Sequence, residues 1–128
     1  MPTILVVEDD PDTRQAIGEY LSVLFPDTRV IMSESGENAL ALAQRTAPRI
    51  VLLDLWLGGM HGFEFATRLR QHPAGVGTAI VALTADTSTA TLLKAEEAGF
   101  AAFLRKPADL SRLEAVIRPL LEDAKTKS

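Results

Sequence analysis

The chain has 128 residues and a net charge of −4, with 47% apolar residues, 23% charged residues and no cysteine. Such values describe one folded domain with a substantial core, and they exclude a disordered chain, disulfides, thiolate metal sites and thiol nucleophiles. The lack of a ~20-residue apolar run, a signal pattern or a basic cluster points to a cytoplasmic domain that binds neither membrane nor nucleic acid directly.

Thr3-Ile4-Leu5-Val6-Val7 reads as a strand buried on both faces, and it runs into Glu8-Asp9-Asp10. Three adjacent acids repel one another unless they are solvated or share a cation. An acidic helix start, favourable to the helix dipole, accounts comfortably for one of them, less well for three. Pro11 suits a first helical position, and Ala16, Ile17, Tyr20, Leu21 and Leu24 give that helix one apolar stripe. A short strand follows at 29–32, then a helix beginning at Ser35 and carrying Ala39, Leu40, Leu42 and Ala43.

The stretch Ile50-Val51-Leu52-Leu53 is the most apolar strand pattern, and it ends on Asp54. Open α/β folds place their ligands at that carboxyl edge, although an aspartate after a strand also serves as a simple turn or cap residue. A glycine-marked loop over 55–62 leads to a helix over about 63–71, which stops before Pro73. The fourth strand covers 78–83 and ends on Thr84. A weaker helix over about 88–98 stops at Gly99. The fifth strand covers 100–104 and runs into Arg105-Lys106-Pro107. Asp109 then caps a last helix with Leu110, Leu113, Ile117 and Leu120 on its stripe and Pro119 inside it. A polar tail is expected over 123–128, after a domain over 1–122.

Five strands alternating with five helices predict a doubly wound (βα)5 sheet, all parallel, with right-handed crossovers. Glu8, Asp9, Asp54, Thr84 and Lys106 each follow a strand, so the fold brings them to one edge. Hard carboxylate oxygens suit Mg²⁺, and a carboxylate beside Mg²⁺ is a nucleophile toward phosphorus. Phosphoryl transfer then needs groups on the equatorial oxygens; Lys106 offers charge and the Thr84 hydroxyl a donor.

Five motifs in order carry a resemblance over essentially the whole chain. They are Val6-Val7-Glu8-Asp9-Asp10, Leu52-Leu53-Asp54, Met60-His61-Gly62, Leu83-Thr84-Ala85 and Phe103-Leu104-Arg105-Lys106-Pro107. The chain resembles the receiver domain of two-component response regulators. The resemblance implies a flavodoxin-like strand order 2-1-3-4-5 and a phosphoacceptor at Asp54, served by a histidine kinase or histidine phosphotransfer protein. It also implies Mg²⁺ held by Asp9 and Asp54, by Glu8 through water, and by the backbone carbonyl of Trp56. Thr84 and Lys106 would grip the phosphoryl oxygens, with Thr84 and Phe103 as switch residues. Output would leave through the face of the fourth helix, fifth strand and fifth helix. The recipient would be a downstream protein, an attached output domain or a phosphorylation-dependent homodimer.

Three positions depart from the usual pattern: Gly58 where proline is common, His61 where an acid is usual, and the bulky Trp56. The resemblance implies a signalling domain that catalyses only its own phosphorylation and dephosphorylation. A phosphohydrolase would want an acid two residues after the nucleophile, where Trp56 stands. A flavin module would want a small-residue phosphate cradle in place of Glu8-Asp9-Asp10. The remaining rival is a receiver-like interaction module that works without phosphorylation.

Overall fold

Branched and apolar side chains dominate the strands, and the helices interrupt them at the expected spacing. The computed structural model describes residues 1–57 and 59–126, with side chains through Glu122. Gly58 and the last two residues of the expected tail therefore lie outside the described residues. The order is β1 (Thr3–Val7), α1 (Pro11–Leu24), β2 (Arg29–Ser33), α2 (Gly36–Thr46), β3 (Ile50–Asp54) and α3 (Gly62–Arg70). It continues with a 3-10 turn at Pro73–Gly75, then β4 (Ala79–Thr84), α4 (Thr89–Glu97), β5 (Ala102–Arg105) and α5 (Leu110–Thr126). The strands form one parallel sheet in the order β2-β1-β3-β4-β5, the doubly wound arrangement expected.

Alternation along the central strands divides the core into two layers. Ile4, Val6, Leu52 and Leu83 pack with Ile17 and Leu21 of α1 and Leu113 and Ile117 of α5. Leu5, Val7, Leu53 and Ile80 pack with Ala39 and Ala43 of α2 and Phe65 and Leu69 of α3. Because both faces are covered, β1 and β3 are buried throughout.

Register then sets the level of each strand end. Val7 pairs with Leu53, Asp54 with Leu83, and Thr84 with Arg105. Glu8 is thus level with Asp54, while Thr84 stands one step further on and Lys106 two.

Several boundaries and faces differ from the sequence reading. β5 begins at Ala102, because the Phe100 N–H donates to the Ala95 carbonyl at 3.1 Å and belongs to the end of α4. Gly99 follows α4 with φ of 78°. Tyr20 is exposed while Phe25, just past α1, is buried. On α5 the buried row is Leu113, Ile117 and Leu121, spaced by four, and Leu110 at the helix start is exposed. The helix includes Pro119 and continues through Thr126, into the segment read as a tail.

The 3-10 turn after α3 is held by Arg70, whose guanidinium donates to the carbonyls of Gly75 at 2.7 Å and Thr78 at 2.5 Å. Burial lowers its pKa, and both bonds go to backbone oxygens rather than to a carboxylate. Removing the guanidinium leaves two carbonyls without that donor. Arg70→Met should therefore cost about 2–3 kcal/mol of unfolding free energy in urea titrations. Arg68→Met, which breaks only the exposed pair with Glu64, should cost under about 0.5 kcal/mol.

Candidate functional site

Asp10 separates from its acidic neighbours. Its side chain accepts from the Thr13 N–H at 2.9 Å and caps α1. Glu8, Asp9 and Asp54 remain, and each offers a carboxylate oxygen within 4.8 Å of the others. Glu8 and Asp54 are buried; Asp9 is exposed. Arg14 secures the β1 end by donating to the Glu8 carbonyl at 2.9 Å, a contact the sequence reading missed. Its only linear signal is a basic residue on the first turn of α1.

Lys106 enters from the turn after β5. Its ammonium donates to Asp54 Oδ2 at 2.9 Å and to Glu8 Oε1. Asp54 Oδ1 accepts from the Trp56 N–H at 3.0 Å, so both oxygens of Asp54 have a fixed donor. For Glu8 Oε2 the donor is the Asp10 N–H, at a long 3.5 Å. The Lys106 N–H bonds the Thr84 carbonyl at 2.9 Å, and the Lys106–Pro107 peptide is cis.

This asymmetry decides which carboxyl carries charge. Burial, with the hydrogen bond to Asp54, pushes Glu8 up to about 7 against the pull of Lys106. Burial also pushes Asp54 up, but hydrogen bonds from Glu8, Lys106 and the Trp56 N–H outweigh it and hold Asp54 below its ordinary value. Partial burial pulls Lys106 down, yet its bonds to Glu8 and Asp54 raise it on balance. The edge thus presents an ionised Asp54 beside a Glu8 that titrates near neutrality.

Thr84 is fully buried at the end of β4, where its hydroxyl oxygen accepts from the Asp86 N–H at 3.0 Å. Asp86 is occupied with the start of α4. It accepts from the Ser88 N–H at 3.0 Å and the Thr91 hydroxyl at 2.7 Å, and the Ser88 bond leads the causes that lower its pKa. Phe103 lies apart from the acids, half-buried on β5 opposite Ala82.

Trp56 is 57% exposed, and its indole meets the His61 ring edge-on at 4.6 Å. His61 caps α3, its Nδ1 accepting from the Phe63 N–H at 3.1 Å, and it stacks on Phe63 at 5.2 Å. Burial, then the Lys94 charge, hold its imidazole below the usual value against the opposite pull of Asp54. Phe63 stacks in turn on Phe100, with the Lys94 ammonium 4.9 Å from its ring centre. The sequence reading took His61 only as a departure from the usual pattern and missed this stack. Trp56, His61 and Phe63 stood close in sequence, but Phe100 joins them only through the fold.

The donor set fits a hard divalent cation. All three acids offer oxygen, and neither histidine belongs to the cluster.

The pKa of Glu8 has a sign that can be tested. A carboxyl whose folded pKa lies above its ordinary 4.5 makes the fold less stable as pH rises from about 4.5 to about 7. In chelator-treated protein, Glu8→Gln should match wild type in unfolding free energy at pH 4. At pH 7.5 it should exceed wild type by on the order of 2 kcal/mol.

Comparison with known proteins identifies the family of the chain. The family model of the response regulator receiver domain matches residues 4–118. A cyclic di-GMP phosphodiesterase of Thermotoga maritima is 34% identical over 94% of this chain and 31% of its own length. The transcriptional regulatory protein AfsQ1 of Streptomyces coelicolor is 32% identical over all of this chain and 55% of its own. The chain thus spans about a third to a half of these relatives. Among solved structures, the receiver domain of the sensor histidine kinase PA1611 from Pseudomonas aeruginosa, described with magnesium in its active-site cleft, matches with a TM-score of 0.84. It is 26% identical, over 94% of this chain and 98% of that one. With its sheet order, strand-end residues and a family match over most of its length, the chain belongs to the response regulator receiver domains of two-component systems.

Proposed function

We propose that Asp54 accepts a phosphoryl group from a histidine kinase or histidine phosphotransfer protein in a Mg²⁺-dependent reaction. The observation that carries this reading is the double anchoring of Asp54 by Lys106 and the Trp56 N–H, beside Glu8 and Asp9. Asp9 and Asp54 would hold Mg²⁺ directly, Glu8 through water, and Trp56 through its carbonyl. When bound, Mg²⁺ supplies charge neutralisation to the acids and the phosphoryl oxygens.

An ionised Asp54 oxygen attacks phosphorus, the bond to the donor nitrogen breaks, and the nitrogen keeps the electron pair. Lys106 then turns its charge to a phosphoryl oxygen. The Thr84 hydroxyl, whose oxygen already accepts from Asp86, has its proton to donate to another. A cleft of about 580 Å³ between α1 and the turn after β5 opens beside Lys106, lined by Ile17, Tyr20, Leu83 and Pro107. It offers the donor protein an apolar seat.

Output through the α4–β5–α5 face is supported by how lightly α4 is held. Ala95 is its buried residue, and Leu93 is 54% exposed. Movement of Thr84 toward phosphate and turning of Phe103 would shift this face between two packed arrangements. The recipient is a downstream protein, an attached output domain or a second copy. A cytoplasmic setting suits such a relay, and no helix among the described residues is long and apolar enough to cross a membrane.

With acetyl phosphate and Mg²⁺, intact-mass measurement should show one added phosphoryl group on wild type and none on Asp54→Asn. Asp9→Asn should need at least about tenfold more Mg²⁺ for the same rate. Wild-type protein that gains no mass would instead favour an interaction module that works without phosphorylation.

A further inference from the structure

The loop after β3 has to hold the Trp56 carbonyl in place, yet it contains Gly59 at φ 89° and no proline between Asp54 and Gly62. Its apolar residues Leu55, Leu57 and Met60 are buried, and they fix the path of the chain on either side of Trp56. The two ends are also pinned together. The Gly62 N–H donates to the Leu55 carbonyl at 2.9 Å, and a side chain at Gly62 would come within 2.8 Å of the Leu55 Cα. Trp56 itself is the exception, because it is 57% exposed and the core does not grip it.

Among the described residues, the ring that meets this indole is His61, edge-on at 4.6 Å with an interplanar angle of 84°. His61 is immobilised in two independent ways. Its Nδ1 is committed to the Phe63 N–H, and its face lies on Phe63 with only 12° between the rings. Phe63 is backed by Phe100 and by the Lys94 ammonium, so the stack is tied to α3, to α4 and to the residues leading into β5.

We infer that His61 is a positioning residue for the phosphoacceptor site, its ring seating the Trp56 indole and thereby orienting the Trp56 carbonyl and N–H. The indole and the carbonyl carbon share one Cα, so an indole seated against His61 restrains the Trp56 backbone whose groups serve Asp54 and the cation. The N–H half of this arrangement is the 3.0 Å bond to Asp54 Oδ1. The carbonyl half rests on the reading of the site as Mg²⁺-dependent.

Two substitutions separate the ring of His61 from its capping role. His61→Asn keeps a side chain that caps a helix and removes the ring. His61→Phe keeps a ring and removes the cap. Trp56 is the sole tryptophan, so time-resolved fluorescence anisotropy reports its local motion directly, without metal or phosphate. In His61→Asn the amplitude of the fast anisotropy component should at least double, and the Mg²⁺ dissociation constant should rise about two- to tenfold. That range is what the loss of one edge-to-face ring pair amounts to. His61→Phe should restore both readouts toward wild type.

An Asn variant with wild-type anisotropy would overturn the inference. So would a Phe variant as mobile as the Asn variant, since the cap rather than the ring would then hold the loop. Wild-type protein that takes up no Mg²⁺ would refute the phosphoacceptor reading and the carbonyl half with it. The anisotropy comparison would still decide whether His61 seats the indole.

Discussion

Everything at the functional edge depends on one partly buried cation between two buried carboxylates. Lys106 bonds Asp54 and Glu8, residues from three different strand ends. Two carboxyls this close and this dry cannot both ionise cheaply, and a single ammonium does not neutralise both. The site resolves the conflict by unequal donation. Asp54 has two well-placed donors, while Glu8 shares Lys106 and has a long contact to the Asp10 N–H. Asp54 therefore stays charged, and the cost of crowding falls on Glu8.

The sheet makes that geometry possible. Parallel pairing in the order β2-β1-β3-β4-β5 sends every strand end to the same edge, and the register levels Glu8 with Asp54. Lys106 reaches them from β5, two strands away from β3, because β4 intervenes with the small Thr84 at its end. The same edge is bounded on one side by α1, with Asp10 as its cap and Arg14 on the Glu8 carbonyl. On the other side it is bounded by the Trp56–His61–Phe63 stack.

Much of this was legible in the linear chain, for a physical reason. Central parallel strands are apolar on both faces, so Thr3–Val7 and Ile50–Asp54 stand out, and the polar residue that ends each one is conspicuous. An acidic start to α1 also followed from local rules, though not that Asp10 is the acid that caps it. The start of β5 did not. Phe100 has the apolar character of a strand residue, but its N–H is taken by the end of α4 and its ring by Phe63, a partner 37 positions earlier. His61 was opaque for the same reason, since its capping bond is local but its packing value depends on Phe63 and Phe100. Tyr20 and Leu110 fit helical stripes, yet both are exposed, and periodicity alone assigned them to the core.

The central claim is that Lys106 and the Trp56 N–H keep Asp54 ionised while Glu8 carries the burden of burial. Carboxyl-carbon NMR of chelator-treated protein, followed through pH, measures both groups at once. Asp54 should titrate below the ordinary 3.8 and Glu8 at about 7, and in Lys106→Met the Asp54 transition should move upward. An Asp54 that holds its proton near neutral pH beside an ionised Glu8, or one indifferent to the loss of Lys106, would contradict the account.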